Sequence, residues 1–486
     1  VFWWENRGNP EGTWTSYKID SNYNGAWGVH AVDIDFDGDI DVVASATTRG
    51  DIAWFENDGA ANNDVSITDD MDFDPDEITI YVGDTITWTN NDGMGHTATS
   101  TSGPTSFDSG NIASGGNWSF TFTESGTYEY ECEYHSSMTG VITVNGWIKH
   151  DIDTSFLQAR NVDVVDIDGD GDLDVLGVAN TGDELAWWEN TANFALSPTW
   201  TSRNINTAAN GAEAVHVGDI DGDGDLDVVA ALYNDNQVAW YENDGTPSNG
   251  GWTHHIVKDY SGNGIEDLFV ADIDDDGDLD IISADGSGDK ILYHINDGTP
   301  GNGVWSTNTV ISGSDADGAM SVHVADIDTD GDLDIVAALF MTSHVVWIEN
   351  DGSPNNGGWT SHDVVSSSSS KESYDVTVAD IDGDGDLDIL EADQTNKIYW
   401  YENDGTPDDG TWSMTKIKGG LTDAHVVATA DLDNDGDIDV ISGAYTANKV
   451  SWHLNDGTPG DAVWTTYEIG TPTKPTSLFP VDIDYD

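Results

Sequence analysis

The 486-residue sequence has one cysteine, only 14 basic residues and no long apolar run. A single cysteine excludes an intrachain disulfide framework. Fourteen Lys and Arg against 92 Asp and Glu leave a formal net charge of -78. That balance excludes a basic patch for nucleic-acid phosphates or an anionic membrane. The partners it calls for are metal ions, salt or a basic protein. The longest apolar run, Ile335 to Met341, is far too short to span a bilayer, so no transmembrane segment is expected. What is present is core material: 37% hydrophobic residues and twenty tryptophans. This excludes global disorder despite the charge.

The strongest internal signal is repetition. DIDGDGDLDVL begins at Asp166, with close copies at Asp33, Asp219, Asp272, Asp326, Asp380 and Asp431 and a cut-off copy at Asp482. From Asp166 onward the starts lie 51 to 54 residues apart, but the first step is 133. An aromatic with an Asn three positions on follows each full copy, at Trp54, Trp187, Trp240, Tyr293, Trp347, Trp400 and Trp452. A second tryptophan follows about a dozen residues later, at Trp200, Trp252, Trp305, Trp359, Trp412 and Trp464. In the first repeat that interval stretches from Trp54 to Trp147, which places an insert at 65–145. Each repeat reads as four short strands, the last two joined by an Asp-Gly and Pro turn. Four strands in roughly 50 residues is the size of a propeller blade. The expected architecture is all-β: a β-propeller over 1–64 and 146–486, with a β-sandwich domain at 65–145 in the strand 3–4 hairpin of the first complete blade. Eight blades are expected, the last closed by both ends of the chain; seven is the alternative.

Within each loop, carboxylates stand at positions 1, 3, 5 and 9 and glycine at position 6. The candidate ligands are Asp33, Asp35, Asp37 and Asp41; Asp166, Asp168, Asp170 and Asp174; Asp219, Asp221, Asp223 and Asp227; Asp272, Asp274, Asp276 and Asp280; Asp326, Asp328, Asp330 and Asp334; Asp380, Asp382, Asp384 and Asp388; and Asp431, Asp433, Asp435 and Asp439. Alternate residues of a tight loop can turn several oxygens toward one calcium ion, and glycine permits the wrap. About seven calcium ions are expected. The start resembles an EF-hand, but Ala44 and Gly177 stand where its closing glutamate would be, and the flanks are strands. A solvated acidic turn is the plain alternative. On these loops the array resembles the FG-GAP/VCBS repeat family of calcium-loop propellers. The resemblance implies calcium that rigidifies each blade, in proteins used for adhesion, carbohydrate binding and assembly.

Residues 65–145 have another pattern. Strict alternation appears in Ile78, Ile80, Val82; Trp118, Phe120, Phe122; and Tyr128, Tyr130, Cys132, which reads as a two-sheet sandwich. The only cysteine opens Cys132-Glu-Tyr-His135-Ser-Ser-Met138, and His96 lies upstream in GMGHTATS. Two imidazoles, a thiolate and a methionine form the donor set of one type 1 copper site: His96, Cys132, His135 and Met138. A buried core cysteine with coincidental neighbours is the plain alternative, and zinc, which takes methionine poorly, is the second metal. The segments DFDPDEITIYVGDTITWTNND, TFTESGTYEYEC and HSSMTGVITV resemble the cupredoxins, especially plastocyanin and amicyanin. The resemblance implies a mononuclear blue copper centre.

The expected function is single-electron transfer by an extracellular, calcium-stabilised propeller, working with a redox protein partner. The alternative is a structural or adhesive filament or surface-layer subunit, in which the propeller binds glycans or other copies of itself. No enzyme is expected: no His-x-His pairs exist for further coppers, and no acid/base constellation stands out, although lyase chemistry on the propeller stays open. Loops of this kind fill at extracellular calcium levels. The setting expected is the outside or surface of a prokaryotic cell in a saline or calcium-rich medium.

Overall fold

A computed structural model describes the chain except residues 6–14, 21–22, 24, 37–38, 58–63, 83, 123, 192–197, 261–263, 304, 343, 365–371, 408–409, 411, 434, 462–463 and 482–486. The cut-off repeat at Asp482 and the candidate ligand Asp37 lie outside the described residues. Among the described residues the chain is strand, turn and short 3-10 segments, with no α-helix. Among these residues no helix is long and apolar enough to cross a membrane.

Among the described residues the repeats form seven four-stranded antiparallel sheets in which, apart from the first, consecutive strands are neighbours. In the sheet of residues 212–259 these strands are Ala212–Gly218, Asp227–Leu232, Gln237–Asn243 and Trp252–Asp259. The second strand, such as DVVAAL, is buried at every position. Its residues are apolar on both faces because it is the inner strand of a sheet packed between two others. The apolar layers accordingly join neighbours: Ile167, Leu176 and Trp187 of one sheet pack with Val215, Val228 and Tyr241 of the next. Trp54, Trp187, Trp240, Trp347, Trp400 and Trp452 are almost wholly buried in these layers. The later tryptophans are half-buried against the same layers, Trp252 against the layer that holds Trp187 and Trp305 edge-on to Trp240 at 6.5 Å. In the first sheet, the strand Ile148–Asp153 pairs with Asp51–Glu56, although the two-sheet unit lies between them in sequence. A further pair, Phe2–Glu5 with Thr15–Lys18, makes a two-stranded sheet.

Two repeats place histidine at a fully buried strand position. His294 Nε2 meets Ser283 Oγ at 2.9 Å and Tyr260 Oη at 3.1 Å, and its Nδ1 meets Thr307 Oγ1 at 3.1 Å. His453 is held likewise by Ser442 at 2.8 Å and Thr466 at 3.0 Å. Burial pushes both imidazoles down to about 3, with Lys258 and Lys418 adding to the effect. Between that value and the ordinary histidine pKa the unfolded chain binds a proton that the folded chain refuses. Stability conferred above the ordinary value is therefore lost as pH falls toward 3. At pH 5 the expected cost is about 2 kcal/mol for each histidine. Denaturant melts at pH 7 and pH 5 check this: His294→Asn and His453→Asn should each narrow the gap between the two.

The 64–145 unit is a pair of four-stranded sheets. One holds Thr99–Ser102, Gly126–Cys132, His135–Asn145 and Glu77–Tyr81; the other holds Asn117–Thr121, Thr85–Asn90, Asp64–Ile67 and Phe73–Asp74. Alternation assigns the faces. Tyr128, Tyr130 and Cys132 are buried, while Thr127 and Glu129 are exposed. Trp88, Phe107, Phe122 and Tyr130 fill the space between, with Trp88 edge-on to Tyr130 at 5.6 Å.

Candidate metal centres

At one end of the sandwich the structure brings together residues from two distant stretches. Cys132 closes the strand Gly126–Cys132, and His135 opens the next after a two-residue turn, so the two pair across the ladder. His96 reaches the same place through a backbone bridge to Ile112, accepting and donating at 2.7 and 3.1 Å. Cys132 Sγ lies 3.7 Å from His96 Nδ1 and 3.6 Å from His135 Nδ1. His96, Cys132 and Met138 are completely buried, whereas His135 is half-buried.

Three residues the sequence reading did not single out hold this arrangement. Asp92 Oδ2 contacts His96 Nε2 at 2.7 Å, which turns Nδ1 toward the sulfur. That bond is the main reason the Asp92 carboxyl is held below its usual range. Asn90 is buried; its side-chain amide donates to Met94 O at 2.7 Å and Ile112 O at 2.8 Å, and its Oδ1 accepts from Asp92 N. Thr97 donates its backbone N–H to Cys132 Sγ at 3.4 Å, and its hydroxyl accepts from Glu133 N at 2.9 Å. The donor set fits copper: a soft sulfur, two imidazole nitrogens free to bind, and a buried thioether. An outer-sphere carboxylate that orients a ligating imidazole makes it more basic. Asp92→Asn is therefore expected to keep the coloured site but raise its reduction potential, as read by spectroelectrochemistry of the copper-loaded chain.

The aspartate loops share one construction. In the loop at Asp166, Asp170 N and Gly171 N donate to the two oxygens of Asp166 at 3.1 and 3.0 Å. Gly171 has φ 98°, which a side chain would strain. Position 4 is also left-handed, with Gly169 at φ 71° and Thr329 at 60°, a requirement the sequence pattern did not reveal. Position 9 is buried in every loop. Asp174 accepts from Ile167 N at 3.0 Å and Asn190 N at 2.8 Å, and every described repeat copies this bonding. For Asp334 and Asp280 the strand-three aromatic adds a third donor: Trp347 Nε1 to Asp334 at 3.0 Å, and Tyr293 Oη to Asp280 at 2.8 Å.

Carboxylate oxygens of Asp166, Asp168 and Asp174 lie within 4.8 Å of one another, as do those of Asp33, Asp35 and Asp41, of Asp219, Asp221 and Asp223, and of Asp272, Asp274 and Asp276. Four loop oxygens, Oδ1 of Asp219, Asp274, Asp326 and Asp433, are buried with no hydrogen-bond donor. Burial pushes Asp174 up to about 8 and Asp227, Asp280, Asp334, Asp388 and Asp439 up to about 7, against the pull of their backbone donors. Crowded, desolvated carboxylates with orphaned oxygens suit a hard divalent cation.

Comparison with known proteins agrees with both halves. Residues 60–145 match the copper binding proteins of the plastocyanin/azurin family. The FG-GAP-like repeat matches residues 166–230, 219–283, 272–337, 390–442 and 431–486, together just over half of the chain. The chain therefore belongs to the FG-GAP-like repeat proteins and carries a plastocyanin/azurin-family domain. Among solved structures, a copper-containing nitrite reductase (NirK) from Thermus scotoductus SA-01 is 29% identical over 17% of this chain, with a TM-score of 0.16; the chain spans 22% of its length. A purple cupredoxin from Nitrosopumilus maritimus is 28% identical over 17% of this chain and all of its own, with a TM-score of 0.16. A reduced mutant of amicyanin is 32% identical over 18% of this chain and 86% of its own, also at 0.16. A search of curated proteins gave no match.

Proposed function

We propose that the chain is a single-electron carrier whose copper is held by His96, Cys132, His135 and Met138, on a scaffold of calcium-binding repeats. The observation that carries this reading is Cys132 Sγ standing 3.6 to 3.7 Å from two imidazole nitrogens in a buried pocket. When bound, copper supplies a one-electron couple. The chain's residues do the rest. Asp92 fixes the His96 ring, the Thr97 N–H polarises the thiolate, and the packed core around Tyr130 and Met138 excludes water. Of the four, only His135 reaches the surface, so its imidazole edge is the route for electrons in and out. The domain takes residues 65–145 and interrupts the repeat array of 1–64 and 146–486.

In the repeats, Asp33, Asp35 and Asp41, together with positions 1, 3, 5 and 9 of the other six loops, hold calcium. Ions bound at millimolar calcium suit an extracellular or cell-surface setting. The copper-loaded chain tests the carrier reading: an intense visible band at one copper per chain is expected, and a colourless loaded protein overturns it.

A further inference from the structure

The calcium loops are not self-contained. The asparagine that ends strand three sits beside its own loop and also reaches back into the loop of the preceding sheet. Asn243 Nδ2 donates to Leu226 O at 3.1 Å in its own loop and to Ile167 O at 3.2 Å in the loop before. Asn296 does the same with Leu279 at 3.1 Å and Ile220 at 2.7 Å. Asn350 bonds Ile273 at 3.3 Å, Asn403 bonds Ile327 at 2.9 Å, and Asn455 bonds Ile381 at 2.6 Å. Each of these acceptors is position 2 of a loop, between the carboxylates at positions 1 and 3. All five asparagines are buried.

The turn that follows the asparagine touches the carboxylates themselves. Asn355 Nδ2 lies 2.5 Å from Asp274 Oδ2, at position 3 of the preceding sheet's loop. The other oxygen of that carboxylate, Oδ1, is one of the buried orphans. Ser248 Oγ donates toward Asp168 Oδ2 at 3.4 Å and Glu189 Oε1 at 3.1 Å, again in the preceding sheet. Both turns are anchored by a buried proline, Pro247 and Pro354.

We propose that each cation loop is completed by the sheet that follows it, so that calcium binding fastens successive sheets to one another. This rests on the calcium reading above. The physical reason is direct. A cation pulls the position 1 and 3 carboxylates into fixed places, and those places also fix the position 2 carbonyl and the position 3 oxygen that the next sheet grips. Removing the cation lets the carboxylates repel and loosens both grips. Calcium loss is therefore felt one sheet further along than the loop that bound it.

Hydrogen exchange of the full chain, in calcium and in chelator, tests this. Chelation should raise exchange in the loop at Asp272 and equally in the turn Pro354–Asn356. In Asn355→Ala, an exposed change that leaves the sheets intact, that turn should exchange fast in both conditions. One calcium site should weaken roughly threefold to tenfold by titration. Asn350→Ala should loosen the Asp272 loop more strongly. If calcium binds and protects the loops while the turn and the Asn355→Ala titration stay unchanged, the coupling is wrong and the calcium reading stands. If no calcium binds at all, the calcium reading fails and takes the coupling with it.

Discussion

Cys132→Ser should abolish the visible band of the copper-loaded protein and weaken its hold on copper severalfold or more, while the repeats keep their fold. The band depends on a soft thiolate in covalent contact with the metal, and a serine oxygen is a hard donor that gives none. No other cysteine exists to substitute for it. The Thr97 N–H that now points at the sulfur would meet a shorter side chain, so the geometry around His96 and His135 should also relax. Met138→Gln is the informative companion. Met138 would offer copper a thioether, a weak donor that tunes the potential of such sites without making the colour. That variant should stay coloured and titrate at a shifted potential. A Cys132→Ser protein that kept the band would place the copper elsewhere.

Removing calcium should cost the repeats more stability than any single substitution. Each ion present at about a hundred times its dissociation constant stabilises the folded chain by about 2.7 kcal/mol. Several sites acting together exceed the roughly 5–15 kcal/mol that holds a typical domain folded. Chelator should therefore lower the melting temperature of the repeats by tens of degrees, reversibly on adding calcium back. Differential scanning calorimetry in calcium and in chelator measures this. The copper domain, which has its own aromatic core around Trp88, should melt almost unchanged in the same scans. Equal melts with and without calcium would leave the aspartate loops as solvated turns.

The parts legible in the sequence were those whose chemistry is local. The repeat spacing marked the sheets, because all but the first use consecutive strands joined by short turns, and the first spans the 64–145 unit. Cys132, His135 and Met138 were legible because one short segment carries all three, and His96 because it was the histidine upstream in a sandwich pattern. Position 6 of the loops showed itself as glycine every time. Position 4 did not, because Phe36, Gly169, Asp275 and Thr329 all take the same left-handed backbone, and no residue type marks it. Asp92 and Thr97 were missed for a related reason: what matters is which atom faces the ring or the sulfur. The strand-three asparagine reads in the sequence as a landmark and not as a link, since Asn243 bonds a carbonyl 76 residues away. Of the second tryptophan series, Trp252 and Trp305 lie against the apolar layers between sheets.

A one-electron redox titration of the copper-loaded chain, followed by its visible band, tests the central claim most directly. One copper per chain and a single reversible wave of one electron are expected. The band should vanish on reduction and return fully on oxidation, because a preset ligand cage changes little between the two states. Loss of copper on reduction, or a loaded protein with no band to follow, would contradict it.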